Sequence, residues 1–359
     1  MPNLNNISAE ITGVKYTPYL CRKLRTFELK DLVQALSEES TFILRINQQQ
    51  IAVSWWVSAK RTRTYPYARV YDSLAFSGKK VTLIPIVKDE GADGERDFLQ
   101  YDTVSLMSLL GVYVIIGYYA DAEVNSKYPN KITRQRYDIQ QITGEIQKLL
   151  SYQSDALHWN LAQLEKAGEI GEKAIEAYSR ISTALGVNMH SIELARKRIK
   201  ELEKGKETFL KLSRNLAEKA QRRESITKQP KERLDGEKAT ITIKNYLGGE
   251  YFLTSDEVEI HENEIFLIEG KHTKDKRLPA LSDIKDGLLR MILLTNIQDV
   301  RIGNKQFTSV PILKLTTGHP AKLDSLNREE RKTLGLLEKE SEKNGFRILI
   351  NTHFPKRKE

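Results

Sequence analysis

Glu269 and Lys271 stand two residues apart at the end of the apolar run Ile265-Phe266-Leu267-Ile268, and Asp256 lies a short distance upstream. Two carboxylates and a lysine can do a specific kind of chemistry. A hard divalent cation that prefers oxygen ligands, such as Mg²⁺, suits Asp256, Glu269, a backbone carbonyl (that of Gly270) and waters. The lysine can then orient or help deprotonate an attacking water, or stabilise charge growing on a phosphate. Together these are the parts of metal-assisted phosphodiester hydrolysis.

That chemistry needs elements to position it. If Ile265 to Lys271 is a strand, Glu269 and Lys271 point to one face. A two-residue turn at Glu262-Asn263, or a four-residue one from His261 to Glu264, sets Asp256 directly across from Glu269. The shared face then carries Phe252, Val258, Ile260, Ile265 and Leu267. A three-residue loop instead brings Ser255 or Glu257 opposite Glu269, and Glu257 becomes the substitute ligand. Like charges opposed across a sheet at the edge of an apolar core are costly, so a compensating cation is expected.

The sequence around the trio places it in a C-terminal domain, residues 236–359, in which a run of strands is followed by alternating helices and strands. Strand-like runs at Ala239–Ile243, Glu250–Thr254, Glu257–Ile260 and Ile265–Ile268 predict an antiparallel meander. A helix capped near Ser282-Asp283 and running to Leu294 follows, with Ile284, Leu288, Met291 and Ile292 on one face. A strand at Val310–Leu315, a charged helix at Ser325–Lys343, a Gly345 stop and a strand at Phe346–Ile350 complete it. Upstream, residues 1–135 alternate strand-like and helical runs as an α/β domain, and residues 136–235 carry long helical periodicity as an arm or bundle with a turn at Gly186. The fold class is α/β (α+β), a mixed β-sheet flanked by helices at the C-terminal end.

Asp256, a hairpin, Glu269-Gly270-Lys271 at the end of an apolar strand and a helix across the sheet together resemble the PD-(D/E)xK nuclease superfamily, and more narrowly a type II restriction endonuclease. Ser255 stands where the motif has proline. The resemblance covers roughly residues 236–351. It implies a restriction-endonuclease-like core in which Asp256, Glu269 and Lys271 are catalytic, Asp256, Glu269 and Gly270 hold Mg²⁺, and double-stranded DNA is cut. Cutting both strands of a palindromic target implies a homodimer.

The rest of the sequence supplies candidate DNA contacts. Lys60, Arg61 and Arg63 begin a basic run interleaved with aromatics after Trp55-Trp56, which suits phosphate contact and stacking; a solvated loop accounts for it equally. Lys274 and Lys285 follow the trio and are placed to neutralise phosphates. The stretch Arg196–Arg233 is rich in Lys and Arg and suits either a duplex backbone or a mixed-charge solvated face.

Composition narrows the classes. With Lys+Arg 57, Asp+Glu 48 and a net charge of +9 over 359 residues, a polyanion is the natural partner. A single cysteine excludes an intrachain disulfide or a thiolate cluster, and MPNLNNISAE lacks signal-peptide character, so an intracellular, cytoplasmic protein is expected. The uncharged run Thr103–Ala120 reads as helix, Gly111 stop and buried strand, so no membrane association is expected. No glycine-rich phosphate loop indicates a nucleotide cofactor, and no histidine pair has zinc spacing. Asp93, Glu95, Asp97 and Asp102 form an acidic cluster without a lysine at strand spacing. A non-enzymatic basic DNA-binding or assembly protein, and a repair or phage-defence nuclease without sequence specificity, are the alternative readings.

Overall fold

Alternation of apolar Ile7, Ala9 and Ile11 with polar Ser8 and Glu10 produces a first strand, β1 (Ile7–Ile11), with one face buried. The computed structural model describes residues 7–60, 66–203, 237–246, 249–274, 277–318 and 326–351. The chain divides into two units, Met1–Arg22 with Leu216–Glu359, and Lys23–Asn215. The expected division into three consecutive parts is therefore replaced by two. The first strand belongs with the C-terminal segment, and the described helices of the arm belong with the N-terminal domain.

The Lys23–Asn215 unit contains β2 (Thr26–Glu28), α1 (Leu32–Glu38), β3 (Thr41–Ile46), β4 (Gln49–Trp55), α2 (Pro66–Ser73), β5 (Lys80–Pro85), β6 (Val87–Asp89), β7 (Arg96–Phe98), α3 (Tyr101–Leu109), β8 (Val112–Gly117), β9 (Tyr119–Val124) and β10 (Ile132–Tyr137). Four helices follow: α4 (Ile139–Ser151), α5 (Ala156–Glu165), α6 (Ala167–Leu185) and α7 (Ile192–Glu203). A five-stranded sheet runs β2-β3-β4-β5-β8. Its parallel β5–β8 pairing is sequestered, and Val114, Ile115 and Ile116 are fully buried. The uncharged run is thus a buried core segment: α3, Gly111 with φ +65, then β8. Among the described residues no helix is long and apolar enough to cross a membrane.

The other unit adds β11 (Glu237–Asn245), β12 (Glu250–His261), β13 (Glu264–Thr273), α8 (Leu281–Leu294), β14 (Gln298–Ile302), β15 (Lys305–Thr317), α9 (Arg328–Asn344) and β16 (Arg347–Ile350). The seven strands order as β13-β12-β11-β1-β14-β15-β16, with a further pairing that joins β13 to β15, the strand before the last of that run. β12 is one continuous strand where two were expected. Its first half pairs with β11 and its last five residues with β13. After β13 the chain crosses through α8 and the β14 hairpin to return parallel to β13 as β15. β14 was not anticipated. The α8 cap also differs: Ala280 is the N-cap and makes no side-chain bond, while Ser282 and Asp283 lie inside the first turn. α9 opens with an Asn327/Glu330 capping box and stops at Gly345, φ +76.

Candidate active site

The β12–β13 ladder runs Glu257↔Ile268 through His261↔Glu264, closed by a two-residue turn at Glu262-Asn263 with Glu262 at φ 55. This register brings Asp256 to the level of Glu269 and excludes the three-residue loop that would have promoted Glu257. Asp256 Oδ2 accepts a hydrogen bond from the Gly270 amide at 2.9 Å. The strand pairing therefore places Asp256, Glu269 and Lys271 at one end of the hairpin, beyond Ile265 and Leu267, which are fully buried.

One part of the expected face is corrected. Between Glu237↔Val258 and Ala239↔Ser255 the β11–β12 register shifts by one residue, so β12 spends an extra residue next to Asp256. Alternation does not carry across such a shift, and Phe252 cannot be assigned to the Val258 face by counting in twos. The same irregularity leaves Asp256 outside both ladders, with its carboxylate on a backbone amide instead of in a regular cross-strand pair.

Two residues from α8, unremarked in the sequence reading, complete the cluster. Lys271 Nζ lies 3.0 Å from Glu269 Oε1 and 2.7 Å from Asp286 Oδ2. Arg290 Nη1 donates to Glu269 Oε2 at 2.9 Å and to the Thr254 carbonyl at 3.2 Å. Asp286 and Arg290 are four apart and share a helix face. The helix approaches closely because residue 287 is glycine: a Cβ there would lie 2.8 Å from Leu313 Cδ1 and 3.1 Å from Lys271 Cε. Their sequence signal was an i,i+4 acid–base pair on a helix that otherwise presents buried Ile284, Leu288, Met291 and Ile292.

Glu269 is 2% exposed. Burial pushes its carboxyl up to about 7, Asp256 adds to the rise, and Arg290 and Lys271 oppose it. Burial alone would lower Lys271, yet Glu269 and Asp286 outweigh it and hold the ammonium above its usual range. The donor set that a hard cation would meet, the Asp256 and Glu269 carboxylates and the Gly270 carbonyl, is all oxygen and so fits Mg²⁺ in kind. Among the described residues no group of three or more His, Cys, Asp or Glu side chains is arranged to hold a metal ion, so water or phosphate oxygens would have to complete the coordination.

The opposite face carries a second buried pair, Lys314 Nζ to Glu257 Oε2 at 2.6 Å, and Ser255 donates to the Glu257 and Ile268 carbonyls. Glu257 is thus committed to Lys314. His272, which shares this face by the alternation along β13, meets Thr316 Oγ1 at 2.9 Å.

The expected DNA contacts are scattered. Lys274 is exposed just past β13, whereas Lys285 is buried on α8, which corrects its expected place at the phosphates. Lys60 pairs with the buried Asp97 at 2.6 Å, and Ser58 donates to the other Asp97 oxygen. Arg61 and Arg63 lie outside the described residues, as does the Arg196–Arg233 stretch after Glu203. The acidic cluster disperses: Asp93 and Glu95 are exposed, and Asp102 sits in the first turn of α3.

No family model matches the chain, and no curated protein matches it. A solved structure described as "Adenylation, ketoreductase, and pseudo Asub multidomain structure of a keto acid-selecting NRPS module" aligns with 97% of this chain at 10% identity and a TM-score of 0.13. The chain spans 25% of that protein's length, and a likeness this low carries no argument about fold or function.

Proposed function

We propose that the protein is a Mg²⁺-dependent DNA endonuclease, of the type II restriction kind, that hydrolyses phosphodiester bonds in double-stranded DNA as a homodimer. The observation that carries this reading is the hairpin register. It brings Asp256 beside Gly270, and so to the level of Glu269 and Lys271, at the end of an apolar strand with a helix packed across it.

In this reading Asp256, Glu269 and the Gly270 carbonyl hold the cation, which when bound neutralises phosphate charge and makes water a better nucleophile. Glu269, buried and with an elevated pKa, gains a neutralising partner on loading. Lys271, held protonated between two carboxylates, is a charge for the phosphate undergoing attack. Asp286 fixes the lysine from the helix side, and Gly287 gives its stem room. Lys274, exposed beyond the strand, can contact the DNA backbone, and the net charge of +9 favours such a partner.

A second reading has its own observation. Both Glu269 oxygens are already met by basic groups, as they would be in a purely structural ion-pair network of a basic DNA-binding or assembly protein. Digestion of unmethylated phage DNA with Mg²⁺ separates the two readings. Discrete fragments that vanish with chelator support the restriction enzyme, a smear supports a nuclease without sequence preference, and intact DNA supports the binding protein.

A further inference from the structure

The cluster holds more charged groups than hydrolysis requires, and their balance is informative. Asp256, Glu269 and Asp286 supply three negative charges, and Lys271 and Arg290 supply two positive ones. Glu269 is 2% exposed, and the Arg290 side chain is only 22% exposed, so water screens these charges weakly.

With all five ionised the cluster carries one excess negative charge. A divalent cation reverses this to one positive, and a single phosphodiester then brings the sum to zero. Without Arg290 the cation alone would reach neutrality. Arg290 also meets the cation's prospective ligand directly, since its Nη1 occupies Glu269 Oε2 at 2.9 Å while the Thr254 carbonyl steadies the same nitrogen.

Building on the proposed nuclease reading, we infer that Arg290 is a positioning residue that makes cation loading conditional on the substrate: it weakens divalent-cation binding to the free protein and makes cation and DNA phosphate bind cooperatively. By linkage the reinforcement is mutual, so whatever factor the phosphate adds to cation affinity the cation adds to DNA affinity. With all five groups ionised, the site reaches zero net charge only when both cation and phosphate are present.

The test is Mn²⁺ binding at pH 8, read from the free-ion magnetic resonance signal, for the full-length protein alone and with a short duplex, the duplex alone serving as the correction. Arg290→Met is expected to raise Mn²⁺ affinity of the free protein by about tenfold or more and to flatten the dependence on duplex. Arg290→Lys, which keeps the charge, should remain within a few-fold of wild type, and Asp286→Asn, which removes a negative charge, should weaken binding. A merely structural arginine would leave the dependence on duplex unchanged when removed. Unchanged or weaker Mn²⁺ affinity in a folded Arg290→Met protein overturns the inference. If that variant does not fold, the opposite shift expected of Asp286→Asn carries the test, and its absence overturns the inference equally. Wild-type cleavage of DNA is scored separately, so a working nuclease with unchanged Arg290→Met affinity defeats this inference alone, while absence of cleavage defeats the reading beneath it.

Discussion

Replacing Glu269 by glutamine should make the protein more stable in chelator at pH 8, although it removes a group on which activity is proposed to depend. The carboxyl has an ordinary value of 4.5 and is raised to about 7 in the folded protein, chiefly by burial. The sign follows from linkage. A folded-state value above the unfolded one means that the folded state holds its proton longer. The group's contribution is fully present below 4.5, is withdrawn as pH rises, and is gone above about 7. The gap corresponds to about 3 kcal/mol, at roughly 1.4 kcal/mol for each tenfold change in proton affinity. Glutamine keeps the shape and an acceptor for Arg290 without ionising, so it avoids this loss. For a unit of this size that is about 6–12 °C in melting temperature at pH 8, shrinking toward zero near pH 4.5. Thermal unfolding of both proteins across pH 4.5–8, with chelator and then with excess Mg²⁺, reads the effect. Mg²⁺ should stabilise the wild type and leave Glu269→Gln unmoved. A variant less stable than wild type at pH 8 in chelator would refute the reasoning, because it would mean that the ion pairs with Arg290 and Lys271 more than repay the desolvation of Glu269.

Three further outcomes are expected. Gly287→Ala puts a methyl within 2.8 Å of Leu313 and 3.1 Å of the Lys271 stem; it should cost about 1–3 kcal/mol in denaturant unfolding and slow DNA cleavage by displacing the lysine. Glu257→Ala strands the largely buried Lys314 and should cost about 3 kcal/mol, whereas replacing both residues with apolar ones of similar volume should recover much of it. Glu340, fully buried on α9, accepts from the Tyr16 hydroxyl at 2.7 Å and the Tyr19 amide at 2.8 Å; Glu340→Ala should cost about 2–3 kcal/mol and make the segment around Tyr16–Tyr19 more open to protease.

The site was legible where its geometry is local. A strand at Ile265–Lys271 and a two-residue turn fix the partners of Glu257 to His261, so counting one residue further brings Asp256 to the level of Glu269, although the neighbouring register shift leaves it outside the ladder. Counting fails where the chain departs from period two, and the register shift beside Asp256 left Phe252 without an assignable face. The contribution of α8 was less legible. Asp286 and Arg290 look like an ordinary solvated pair until the approach permitted by Gly287 brings them onto Lys271 and Glu269.

Non-local pairing accounts for the remaining differences. Ile7–Ile11 has a clear strand pattern, but nothing in its own residues says that it inserts parallel to β11 and antiparallel to β14, more than two hundred residues away. The clamp on the segment that follows is equally long-range: Asn296 and Asn344 each exchange paired bonds with the backbone of Lys15 and Thr17. Lys285 was misjudged because a lysine is rarely buried, and its position inside α8 is set by packing that the sequence pattern does not display.

Conversion of supercoiled plasmid to nicked and linear forms, followed in time with Mg²⁺ or with chelator, tests the central claim most directly when wild type is run beside Lys271→Ala. The account expects Mg²⁺-dependent conversion by wild type and a loss of at least a hundredfold in the variant, with both proteins retaining duplex binding. Equal cleavage by the two proteins, or none by either while both bind DNA, would contradict the assignment of Asp256, Glu269 and Lys271 as the hydrolytic site.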